Sequence, residues 1–168
     1  MRSCFYVLIA VWICMLYSPA SAAERRLNVT DYFLMLPPGP YFEVPAKMLL
    51  AAMKANGDVV DNANGYLNCP GDGAQTTLQV ALFRYKDDRP LVAVSWGDLE
   101  IINNNHLQFF EMKGDALKAV PRSILPVKDL EKGSFDLPRH GRTILVQNSK
   151  GKTVRKFTWT GERFQEEK

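Results

Sequence analysis

Apolar residues recur with two different spacings along this chain. From Pro45 to Asn56, Met48, Leu49, Ala52 and Met53 fall on one face at helical spacing. Pro45 suits a first helical position, Lys54 lies near the end, and Asn56-Gly57 supplies a stop, so the pattern predicts a helix over 45–56. After Gly57 the spacing shortens to alternation, in runs rich in β-branched and aromatic residues punctuated by Asn-Gly, Asp-Gly and Ser-Lys-Gly. Val59-Val60 and Tyr66-Leu67 flank the turn 62–65 as a first hairpin. Thr76 to Tyr85 and Leu91 to Trp96 carry apolar residues on both faces, which places this pair at the centre of a sheet.

Asn103-Asn104-Asn105 reads as a turn and Leu107 to Met112 as the next strand. The proline-rich stretch from Asp115 to Asp136 reads as an irregular excursion with a helical turn around Val127 to Lys132. Thr143 to Gln147 and Lys152 to Trp159 form the best-defined hairpin, and Arg163-Phe164 starts a last short strand. The expected fold is α+β: a mainly antiparallel sheet of six to eight strands, as a meander or strongly curved, with one amphipathic N-terminal helix packed on it. A small closed barrel and a cone-like sheet holding a pocket against the helix are alternative forms of the same pattern.

Residues 1–23 are expected to be a cleaved secretory signal peptide. Arg2 provides a positive start, Phe5 to Tyr17 an apolar stretch, and Ser18-Pro19-Ala20-Ser21-Ala22-Ala23 a small-residue cleavage site. Residues 24–168 are then a single exported domain, periplasmic or extracellular, with no membrane span after cleavage. The whole chain has 168 residues, 46% hydrophobic and 23% charged, with a net charge of +3; this excludes a disordered tail and a nucleic-acid-coating protein. Of its three cysteines, Cys4 and Cys14 leave with the signal, and Cys69 is expected as a buried thiol.

Arg139-His140-Gly141 resembles the RHG signature of histidine phosphatases, in which the histidine accepts a phosphoryl group. That family places the signature after its first strand and supplies a second histidine far downstream. Here 28 residues follow His140 and none is histidine, so the resemblance ends at the motif. Cys69 with His106 or His140 has the chain order of a thiol hydrolase, but Pro70-Gly71-Asp72-Gly73 gives no helix dipole to stabilise a thiolate. Two histidines and one mature cysteine do not make a zinc site, and Asp58 to Gly65 fails the ligand pattern of a calcium loop; no metal and no cofactor are expected. Asn28-Val29-Thr30 fits an N-glycosylation acceptor.

Charge is the feature with a direction. From Arg139 to Arg163 seven basic residues stand against Glu162 alone, whereas Gly57 to Glu100 carries seven acids against three bases. A non-enzymatic binding or protein-interaction module is the expected function, with Arg139, Arg142, Lys152, Arg155 and Lys156 facing an anionic ligand or an acidic protein surface. Nucleic acid is not expected as a partner. The alternatives are an enzyme of unrecognised class using a pocket near Cys69 or His140, and an inhibitor that inserts the 121–138 loop into a partner.

Overall fold

A computed structural model of the chain describes residues 25–71, 77–97, 106–126, 134–148 and 150–167. The expected signal peptide, the 103–105 turn and the helical turn over 127–132 lie outside the described residues. Among the described residues two helices, α1 (Val29–Met35) and α2 (Ala46–Asn56), precede ten strands. These are β1 (Val59–Asp61), β2 (Tyr66–Cys69), β3 (Thr77–Arg84), β4 (Pro90–Gly97), β5 (His106–Lys113), β6 (Ala116–Val120), β7 (Ser134–Asp136), β8 (Thr143–Gln147), β9 (Thr153–Trp159) and β10 (Phe164–Glu166).

The fold is α+β and antiparallel, as the alternation of apolar residues predicts, but its strands divide into two sheets. Strands β1 to β6 form a meander of six in sequence order, and β7 to β10 a second meander of four. The first sheet is open, since β1 and β6 do not pair. The reason for the division lies in β3 and β4, whose centres are apolar on both faces. On one face Leu67, Val80, Val92, Val94 and Phe110 pack against Val29 and Phe33 of α1 and Leu50 and Met53 of α2. On the other, Phe83, Leu91, Ala93 and Phe109 pack against Ile144, Val146, Phe157, Trp159 and Phe164 of the second sheet. Helices alone cover one side, and burying the other requires the second sheet.

Polar contacts pin the two sheets in register. Gln79 donates from Nε2 to Asp136 at 3.3 Å and accepts at Oε1 from the Leu137 N–H at 2.8 Å. Ser95, the one buried polar side chain among the described residues other than tyrosine, tryptophan and cysteine, donates to the Phe135 carbonyl at 3.0 Å. Trp159 Nε1 donates to the Arg84 carbonyl at 2.7 Å. Each satisfies groups that would otherwise be buried without a partner.

Helix α2 begins one residue after the expected start, with Pro45 as its N-cap, and Gly57 closes it in the left-handed region at φ 77° while its N–H bonds the Met53 carbonyl. Helix α1 goes beyond the single helix expected. Asn28 caps it by accepting from the N–H groups of Thr30 and Asp31, and the Asp31 carboxylate returns a bond to the Asn28 N–H, a reciprocal capping box.

Candidate functional site

Asn28 does more than start a helix. The segment that it ends, residues 25–28, runs beside the β1–β2 turn and the Gly141-Arg142 turn, and between them lies an open cleft of about 400 Å³. Its lining is largely polar: Arg26, Asn28, Asn62, Asn64, Arg84 and Arg142, with Leu82, Phe83 and Trp159 as the apolar floor. That volume falls in the range of small-molecule sites, about 300–1,000 Å³.

Three arginines reach the cleft, and their bonding differs. Arg84 donates to the Asp88 carbonyl at 3.0 Å and to the Leu27 carbonyl at 3.2 Å, which fastens the 25–28 segment to the sheet. Arg26 is ion-paired with the Asp88 carboxylate. Asp88 holds both from the β3–β4 turn, where it stands at φ 68°, a left-handed conformation that Asp tolerates better than most residues. Arg142 is exposed, and its guanidinium has no carboxylate partner among the described residues.

The carboxamides around it are oriented by their own bonds. Asn28 Oδ1 is consumed by the cap of α1. Asn62 Oδ1 accepts from the Thr30 hydroxyl at 2.6 Å. In both, Nδ2 has no hydrogen-bond partner among the described residues. Asn64 is the reverse: its Nδ2 donates to Asp61 at 2.9 Å, which leaves Oδ1 open. Asp61 also accepts from the Asn64 N–H at 3.1 Å and from Arg139 Nε at 2.8 Å. These donors, Asn64 foremost and then Arg139, hold the Asp61 carboxyl at about 2.

The basic residues singled out from sequence do not assemble into one surface. Arg142 enters the cleft, and Arg139 lies behind its wall, neutralised by Asp61. Arg155 is neutralised in a two-point contact with Glu166, its Nε at 2.6 Å and Nη2 at 2.7 Å, and its guanidinium lies over the Phe157 ring. Lys152 and Lys156 are exposed. The Arg142 carbonyl accepts from Trp159 at one end of the β8–β9 hairpin, and Lys152 lies beyond the other end. At ~3.3 Å per residue the hairpin separates them by roughly 20 Å.

Cys69 is buried on the helix side of the first sheet and borders a smaller apolar pocket of about 220 Å³ with Tyr41, Met48, Leu49 and Leu78. His106 is exposed and stacks on Trp96 with ring centroids 5.1 Å apart. The strand registers set Cys69, Leu78, Trp96 and His106 in one row across four adjacent strands. Three strand spacings of ~4.8 Å put roughly 14 Å between the thiol and that imidazole, too far for a base to reach its nucleophile. His140 is exposed on the turn before β8.

Arg26, Asn28, Asn62, Asn64 and Arg84 were not legible as site residues, although one signal for Asn28 exists: an Asn followed three residues later by Asp, ahead of Tyr32-Phe33-Leu34, is a helix-start pattern. No protein-family model matches the chain, and no curated protein or solved structure shows significant similarity to it.

Proposed function

We propose that the chain is an exported, non-enzymatic binding module that captures an anionic ligand in the cleft at Arg142. One observation carries the reading: of the three guanidinium groups lining the cleft, two are committed to Asp88 and to backbone carbonyls, and that of Arg142 stands without an acidic partner among the described residues. An anion supplies that partner, and charge-assisted bonds from a guanidinium are among the stronger polar contacts available to a ligand. The free Nδ2 ends of Asn28 and Asn62 add neutral donors nearby.

The binding test is a titration followed by backbone amide NMR at Gly65, Gly141 and Arg142, using acetate, inorganic phosphate, citrate and glucuronate. Saturable shifts with at least one of these, abolished by Arg142→Gln, are expected. Absence of saturable shifts with all four overturns the reading. Export is tested by the intact mass of protein recovered from the periplasm or medium, where loss of residues 1–22 or 1–23 is expected and a full-length mass counts against it.

A further inference from the structure

We infer that the ligand of this cleft is an anionic sugar, a small polyhydroxylated molecule bearing a single carboxylate or phosphate; this rests on the anion-binding reading above. The argument is an inventory of what the cleft leaves unpaired. A bare inorganic anion accepts hydrogen bonds and donates few or none, so a site built for it exposes donors alone. This cleft exposes both kinds. Arg142, Asn28 Nδ2 and Asn62 Nδ2 are donors, whereas Asn64 is turned by its bond to Asp61 so that Oδ1, an acceptor, is the free atom.

An acceptor in the same lining as a guanidinium repels the oxygens of a simple anion. It welcomes a ligand that also carries O–H groups, because a hydroxyl donates to Asn64 Oδ1 and accepts from Asn28 or Asn62. One unpaired guanidinium matches one anionic group. The backbone also leaves room for a ring: Gly141, at φ 83°, has nothing within 4 Å of where a Cβ would stand. A volume of about 400 Å³ accommodates such a molecule with its solvating water.

The test is calorimetric titration of the purified chain with four probes: glucuronate, glucose, acetate and inorganic phosphate. Glucuronate is expected to bind one to one and at least about tenfold more tightly than each of the others, a gap of about 1.4 kcal/mol. In Arg142→Gln its affinity is expected to fall to that of glucose. In Asn64→Ala, which keeps the backbone N–H bond to Asp61, the preference over acetate is expected to narrow, with glucuronate bound more weakly and acetate no more weakly than by the wild type. Acetate or phosphate binding as tightly as glucuronate overturns the sugar inference and leaves the anion reading standing. Binding of none of the four overturns the sugar inference, and with no response to citrate either it overturns the anion reading as well. Glucuronate binding that survives Arg142→Gln overturns the assignment to this cleft.

Discussion

Substituting Trp159 with Phe tests how the two sheets are joined. Trp159 is 1% exposed, packs edge to ring against Tyr85 at 5.0 Å between centroids and close to Phe164 at 4.9 Å, and donates through Nε1 to the Arg84 carbonyl. Phenylalanine keeps an aromatic ring but removes about three buried heavy atoms, worth about 2 kcal/mol at roughly 0.8 kcal/mol per buried carbon. It also orphans the Arg84 carbonyl, at about 1–3 kcal/mol. The expected loss is therefore about 3–5 kcal/mol, a large share of the roughly 5–15 kcal/mol that stabilises an ordinary domain. Urea unfolding followed by far-ultraviolet circular dichroism measures it, with the slope unchanged and the midpoint lowered. Val154→Ala, at a position 53% exposed on the same strand, is the control and is expected to change stability by less than about 0.5 kcal/mol. A loss below about 1 kcal/mol for Trp159→Phe would refute the reasoning, because the indole could then be neither enclosed between the sheets nor bonded across them.

Asn28→Ala removes the cap of α1 and is expected to cost about 1 kcal/mol by the same urea titration, with weaker glucuronate binding as a second readout. Asp61→Asn is expected to be less stable than wild type above about pH 4. Because the folded-state value of Asp61 is depressed from 3.8 to about 2, its contribution is complete above the unfolded value and disappears as pH falls through that interval, so melting curves of the two proteins should converge toward pH 2. A gap that persists unchanged at low pH would show that the Asp61 carboxylate is not its source. Cys69 is expected to resist alkylation in the folded chain and to react at the rate of global unfolding; rapid labelling of the folded chain at neutral pH would contradict its burial.

Eight of the ten strands among the described residues were legible nearly residue by residue, because alternation and turn residues are local signals. Strands β6 and β7, too short or too polar to show a clear alternation, fall within the proline-rich stretch from Asp115 to Asp136 that reads as irregular. Two features were not local. Apolar residues on both faces of β3 and β4 announce that both must be covered, but not whether a second sheet or a closed barrel does it. Only the packing of Ile144, Phe157 and Trp159 on Phe83 and Phe109 decides. Helix α1 is seven residues long, too short for a periodic apolar stripe, and its start is set by hydrogen bonds from Asn28 and Asp31. The site suffered from the opposite problem. Counting charges along the chain grouped Arg142 with Lys152, Arg155 and Lys156 because they are close in sequence, yet an extended hairpin keeps its two ends apart. What singles out Arg142 is the commitment of Arg26 to Asp88 and of Arg139 to Asp61, pairings that span long stretches of chain, beside the local pairing of Arg84 with Asp88.

The division into two consecutive meanders also bears on how the chain reaches this state. Every strand pairs with its immediate neighbour in sequence, so each sheet can zip from local hairpins with small loop-closure entropy, which favours fast folding. The first sheet is complete at Val120, however, and apart from Ile124 and Leu125 the residues that cover its second face begin only at Ser134. A chain emerging N-terminus first therefore passes through a stage in which Phe83, Leu91 and Phe109 form a bare apolar plane. Such a plane is an adhesive surface for other chains, so the final strands act as an internal shield whose late arrival sets the window for aggregation.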